Sequence, residues 1–163
     1  MIQFDKQGYI IPADVVEINF DEFQSLFVFN ELRLIIFQEY LVFLDELKDL
    51  KIGSFYQWLD GSFTTLKSNP NDLDVVTFVD TDEYKKNLKY FDFKYSNRYS
   101  NKIDCYFLGL CSENHPNFNN FRSDYLDFYH KFLKDRKLEV KLSLQNRSIS
   151  NRNFKKGFVK INF

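Results

Sequence analysis

With 163 residues, 44% of them hydrophobic and 28% charged, the chain has material for one domain with a substantial core and too little for two. Its 22 basic and 23 acidic residues leave a net charge of -1, which excludes the broad basic field that holds duplex nucleic acid, so any polyanion must be met locally. The opening MIQFDKQGYIIP lacks a basic segment followed by a long apolar stretch, and no window approaches 18 uncharged apolar residues, so the expectation is a soluble, cytoplasmic protein without a membrane span.

In chain order, a short extended opening turns near Gly8 to Pro12. Residues 21–50 then place Phe23, Leu26, Phe27, Leu34, Phe37, Leu41, Leu44 and Leu47 at roughly helical spacing, which predicts one broken helix or two in succession, with Asp21 as N-cap and the Phe stripe from Phe20 to Phe43 in the core. The aromatic-rich SFYQWL predicts a strand that turns at Asp60 and Gly61. SNPND is a turn signal, and LDVVTFV after it suits a buried strand. A short helix is expected from Thr81 to Leu88 with Thr81 as cap, followed by a polar, Tyr-rich excursion over residues 91–101 and a third, most apolar strand, KIDCYFLGL. A helix near Ser123 to Lys137 and strand-like LEVKLSL and GFVKINF complete the chain. Cys105 and Cys111, within or just after the third strand, read as reduced core residues. The expected architecture is α/β in the α+β sense, a small mixed sheet with N-terminal helices packed on it. It forms a single domain over residues 1–163: a helical part at about 20–50, a core at about 53–110, and helix and strand elements over 120–163.

The informative stretch is GSFTTLKSNPNDLDVV, in which nine residues separate Gly61–Ser62 from Asp72, Leu73 and Asp74. Alternate residues of a strand face one side, so Asp72 and Asp74 present two carboxylates together while Leu73, Val75 and Phe78 enter or border the core. Like charges in a largely apolar strand need a cation or proton to compensate them, and oxygen-rich acidic sites suit Mg²⁺. Asp104 stands among Ile103, Cys105, Tyr106, Phe107 and Leu108, where a lone carboxylate requires a partner or metal. If its strand neighbours LDVVTFV, three carboxylates meet, and such a set can hold two divalent ions about 3.5–4 Å apart. Gly61, lacking a Cβ, lets backbone approach a phosphate, and Ser62 offers a hydroxyl and amide donors. The plainer alternatives are a turn residue and a solvated edge for Asp72 and Asp74, and a buried salt bridge for Asp104.

The Gly-Ser turn after a strand, the Asp-x-Asp strand and the third Asp on a later strand resemble the signature of the DNA polymerase β nucleotidyltransferase superfamily, over roughly Gly53 to Leu110. The fuller pattern, with GYIIP near the start, WLDGSF before the Asp pair and a terminal KKGFVKI, resembles a bacterial family of minimal nucleotidyltransferase-like proteins of unknown function. The superfamily resemblance implies a polymerase β type sheet and transfer of a nucleoside monophosphate from an NTP or dNTP to a hydroxyl acceptor. It implies that Asp72 and Asp74 bind two Mg²⁺ ions, for which Mn²⁺ can substitute. Asp104 would be the third ligand and help deprotonate or position the acceptor hydroxyl. The acceptor would be a protein partner, such as a toxin or effector encoded nearby, or a growing oligonucleotide, in a toxin–antitoxin or anti-phage defence setting. The chain is too short for the large substrate-binding domains of polymerases. The alternatives are a catalytically silent binding module acting as antitoxin or regulatory subunit, and a homodimer that builds the acceptor site across its interface.

Lys67, between Ser62 and the Asp pair, could reach a triphosphate or simply face solvent. Arg147, Lys155 and Lys156 could form a phosphate clamp or a solvated end. His115 and His130 have no partner at ligand spacing, and the tyrosines from Tyr90 to Tyr99 could stack a base or pack.

Overall fold

The computed structural model describes residues 2–97, 101–134 and 155–163, and for residues 93–97 the backbone alone. A hairpin of β1 (Gln3–Phe4) and β2 (Ile10–Ile11) precedes β3 (Val15–Glu17), and two helices follow, α1 (Phe20–Phe27) and α2 (Glu31–Asp49). Next come β4 (Tyr56–Asp60), a single 3₁₀ turn over Ser62–Thr64, and β5 (Leu73–Asp80). The chain continues through α3 (Thr81–Lys86), α4 (Leu88–Asn97), β6 (Ile103–Leu110), α5 (Phe118–Phe132) and β7 (Phe158–Asn162).

The main sheet has five strands in the order β3-β7-β4-β5-β6. It is mixed: β4 runs antiparallel to β5 and β7, while β5 and β6 are parallel and so are β3 and β7. The fold is therefore α+β, with a mixed five-stranded sheet, as expected. Strand alternation divides it into two packed layers. Leu59, Leu73, Val75, Val79, Ile103, Cys105 and Phe107 pack with Phe23, Phe27, Phe37 and Phe43 of the N-terminal helices. On the other face Trp58, Val76, Phe78 and Leu108 meet Phe132, Leu133 and the aromatic side of α5. Within the first layer Tyr40 donates to Gln57 Oε1 at 2.5 Å and Gln57 Nε2 to Thr77 Oγ1 at 2.9 Å, so these buried polar groups are mutually satisfied.

Several local expectations are corrected. The side chain of Asn19, not Asp21, caps α1 by accepting from the Glu22 N–H, and Asp80, not Thr81, caps α3. A second cap, Asn30, accepting from the Arg33 N–H, separates α1 from α2. Leu34 and Leu41 are exposed, because α2 turns Arg33, Ile36, Phe37 and Tyr40 inward, and Phe29 is exposed between the helices. Residues 88–97 are helical rather than an excursion, since Phe91 stacks on Phe107 at 4.3 Å and anchors α4 to β6. The C-terminal helix begins at Phe118, five residues before the expected start. Cys111 is half-buried beside Thr81, while Cys105 is core. LEVKLSL (residues 138–144), Arg147 and Tyr99 lie outside the described residues.

Candidate functional site

Asp60, taken from sequence as the start of a turn, is the last residue of β4 and lies opposite Asp74 in the antiparallel ladder. Asp74 in turn lies opposite Asp104 in the parallel ladder of β5 and β6. Three neighbouring strands thus place three aspartates in one row, on the face whose next row is Trp58, Val76 and Tyr106. Asp72, two residues before Asp74, continues the same side of the chain just outside β5. β6 does neighbour β5, and on that condition Asp104 stands beside Asp74 as expected.

A cleft of about 610 Å³ opens over this row. Asp60, Asp72, Asp74 and Asp104 form its acidic part, and Gly61, Ser62 and Lys67 line it from the connection between β4 and β5. Gln7 and Tyr9 of the N-terminal hairpin form another wall, and Lys131, Lys134 and Lys156 bring positive charge. Asp72, Asp74, Asp104, Gly61, Ser62 and Lys67 therefore line one cleft, Lys67 with an exposed side chain, whereas Lys155, His115 and His130 do not.

The Gly61–Ser62 connection is built for close approach. Gly61 has φ of 86°, a conformation that side chains disfavour, and a Cβ there would fall 2.7 Å from Asp74 Oδ2. Ser62 Oγ accepts from the Asn71 N–H at 3.2 Å, drawing together the two ends of the loop that leads to the Asp pair. From beneath, Arg33 of α2 holds that loop with its whole guanidinium. Nη1 donates to the carbonyls of Phe63 and Phe27 at 2.7 Å, Nη2 to Thr65 and Lys67 at 2.5 and 2.9 Å, and Nε to Lys67 at 3.2 Å. The group lies between the rings of Phe29 and Phe63, 4.3 and 4.9 Å from their centroids. Burial pushes it down to about 10, so it stays charged at neutral pH. The hairpin wall is tied to the same loop by the Leu66 N–H, which donates to Gly8 O at 2.9 Å.

The electrostatics of the row are uneven. Burial pushes the Asp74 carboxyl up to about 6, and Asp60, Asp72 and Asp104 push the same way, against Lys131. Lys131 itself rests over the Tyr106 ring, 4.3 Å from its centroid. Asp60 is raised by burial, and the ion pair it forms with Lys156 pulls it back. Both partners of that pair are buried, Asp60 5% and Lys156 6% exposed.

The donor set is all oxygen, which is the chemistry of Mg²⁺ rather than of zinc or copper. Among the described residues no three His, Cys, Asp or Glu side chains are gathered closely enough to hold one ion by themselves. Mg²⁺ fits that condition, because it commonly takes one or two carboxylates and completes its shell with water and substrate phosphate. Burial is the first cause of the raised Asp74 carboxyl and the neighbouring aspartates add to it, so a cation among them would lower the cost of ionising it.

Sequence reasoning missed Asp60, Arg33 and Lys131. Asp60 offers little locally: it stands two residues after Trp58, and its place on the Asp74 face shows only in the ladder. Arg33 offered only the oddity of a charged residue at a buried helical phase, and Lys131 looked like any solvated lysine. Lys156, read as one of a clamp or a solvated end, is buried in the cleft, while Lys155 is exposed.

Searches of curated proteins and of solved structures each found no significant match. A family model, described as a family of unknown function, matches residues 2–162 and so takes in the hairpin, the whole sheet and every residue of the cleft. The chain belongs to that family, DUF6932.

Proposed function

We propose that the protein is a Mg²⁺-dependent nucleotidyltransferase of the polymerase β type, which moves a nucleoside monophosphate from an NTP or dNTP to a hydroxyl acceptor. The observation that carries this reading is the meeting of Asp72, Asp74 and Asp104 with Gly61 and Ser62 in one cleft. In this reading the Gly61–Ser62 backbone receives the triphosphate, since the positive φ and missing Cβ leave its surface open. Asp72 and Asp74 would hold Mg²⁺, or Mn²⁺ as a substitute, with water and substrate phosphate completing the shell, and Asp104 would be the third carboxylate beside them, opposite Asp74. When bound, the ions supply charge neutralisation at the attacking and leaving oxygens. Asp104 positions the acceptor hydroxyl and takes its proton, and Arg33 keeps the loop from shifting under the phosphates. Lys67 and the lysines of the opposite wall offset the triphosphate's charge. The acceptor is a hydroxyl of a protein partner or of a growing oligonucleotide, and the setting is a cytoplasmic toxin–antitoxin or anti-phage defence system.

The test is incubation of the purified protein with Mg²⁺ and each α-labelled ribo- and deoxynucleoside triphosphate, beside the Asp72→Asn, Asp74→Asn double variant. The expected result is pyrophosphate release with a labelled protein, oligomer or cyclic product, reduced at least about 10³-fold in the variant. Product formed equally by both proteins would end the proposal.

One observation favours a second reading, the catalytically silent binding module. The solvent face of α2 carries Leu34, Ile35, Leu41 and Val42, with Phe29 and Leu32 exposed at its start. An apolar stripe of this kind is what a docking antitoxin or regulatory subunit presents. Partner binding that survives the double variant, with no product from either protein, would favour it.

A further inference from the structure

Lys156 is the cation of the cleft with the most fixed position. Its own backbone N–H donates to Leu133 O at 3.0 Å, and the N–H of Gly157 donates to Ile10 O at 2.8 Å. Gly157 is so tightly enclosed that a Cβ would fall 2.5 Å from Pro12 O. The Lys156 stem is thus anchored between α5 and the N-terminal hairpin, and its ammonium is aimed by the Asp60 carboxylate, whose chain continues directly into Gly61 and Ser62. A lysine only 6% exposed yet lining an open cleft is a costly arrangement, and a buried ion pair is weak support for stability by itself. Lys131 leans on aromatic rings, and Lys67 is exposed, so neither is held in the same way.

We infer that Lys156 is a phosphate-binding residue for the pyrophosphate end of the triphosphate, and that Asp60 is its positioning residue rather than a fourth metal ligand. The inference rests on reading the cleft as a triphosphate site, and it adds which side chain meets the leaving group. In the transfer, the acceptor oxygen bonds to the α-phosphorus as the bond from that phosphorus to the bridging oxygen breaks. The hydroxyl proton passes to a site carboxylate, and the electron pair leaves with pyrophosphate. The growing charge on the bridging and terminal oxygens falls beside the Gly61–Ser62 turn, where an ammonium donates charge-assisted hydrogen bonds. Asp60 keeps Lys156 in place at the cost of partly neutralising it.

The probe is inorganic tripolyphosphate with Mg²⁺, titrated calorimetrically into the full chain, with thermal unfolding recorded for each variant. Lys156→Met is expected to weaken binding about tenfold or more, whereas Lys155→Met, which removes the same charge one residue away on the exposed side, changes it less than about twofold. Asp60→Asn, which removes a negative charge from the cleft but releases the ammonium from its position, is expected to weaken binding several-fold with Mg²⁺ and equally with chelator, where a metal ligand would matter only with Mg²⁺. A purely structural ion pair would instead lower the unfolding temperature in both partners' variants and leave the folded protein's affinity unmoved. Absence of binding by the native chain, native affinity in a folded Lys156→Met protein, or an equal loss in Lys155→Met would each overturn the inference. If Lys156→Met does not fold, Asp60→Asn decides: weaker binding without Mg²⁺ as well as with it upholds the assignment, and unchanged or tighter binding overturns it. Lys156-dependent binding in a protein that transfers no nucleotide would leave this inference standing while the proposed function fell.

Discussion

Two rows of residues on the same face of the same three strands behave as different materials. Trp58, Val76 and Tyr106 lie opposite one another across β4, β5 and β6, and two residues further towards the cleft so do Asp60, Asp74 and Asp104. The first row is closed over by α5: Trp58 meets Tyr125 at 4.7 Å and Tyr106 meets Phe128 at 5.0 Å between ring centroids. The second lies beyond that cover and opens to the cleft, with Lys156 and Lys131 as its nearby positive charges. A sheet face can therefore change from core to site within one strand period. The backbone ladder supplies rigidity to both rows, and only the covering helix and side-chain chemistry differ.

The separation is broken most forcefully by exchanging the two rows' expected sensitivities. Trp58→Ala removes a ring packed against Phe78 and Phe158, at 4.6 and 5.0 Å, and is expected to cost about 4 kcal/mol in urea unfolding. Asp104→Asn removes one charge from a repelling set and is expected to cost less than about 1 kcal/mol while abolishing the proposed nucleotide transfer. Comparable losses of stability in the two variants would mean that the acidic row is structural after all. The second effect lies underneath the cleft. Arg33→Met leaves the carbonyls of Phe27, Phe63, Thr65 and Lys67 without their donor and is expected to destabilise by about 3 kcal/mol. Arg33→Lys cannot reproduce the planar fork and should recover only part of that loss, with full recovery counting against the fork.

What the sequence disclosed follows from which interactions are local. Asp72 and Asp74 announce themselves because an Asp-x-Asp pair entering a β-branched run conflicts with its surroundings, and Asp104 conflicts in the same way. Gly61 and Ser62 needed only their distance from that pair. Asp60 was hidden because a carboxylate before a glycine reads as a turn, and only the ladder to Asp74 shows that the strand extends to include it. Its partner Lys156 is 96 residues away, and no local pattern distinguishes it from Lys155. The phase of α2 was misread for a related reason. Leu34 and Leu41 fit a helical spacing as well as Arg33 and Tyr40 do, and burying an arginine becomes favourable only when a folded loop offers its carbonyls.

A further effect, smaller than the loss of Trp58 or Arg33, concerns the acidic row alone and has a definite sign. Asp74 ionises at about 6 in the folded chain against an ordinary value of 3.8, so between these pH values the folded state binds more protons than the unfolded one. A group raised in this way contributes its stability fully below about 3.8, and that contribution is lost as the pH rises through about 6. Allowing for solvent screening of a partly exposed carboxyl, the loss amounts to roughly 2 kcal/mol. Urea unfolding midpoints measured with chelator between pH 3.5 and 7 should therefore fall with pH more steeply in the native chain than in Asp74→Asn, whose amide does not titrate. The difference should close below about pH 3.8, where the native carboxyl is protonated in both states. Parallel curves for the two proteins would show that Asp74 is not held at the expense of the fold, and would remove the electrostatic reason for a cation in the row. A difference that shrinks on adding Mg²⁺ would instead show that positive charge in the cleft lowers the cost of ionising Asp74, which burial sets first and the neighbouring aspartates second.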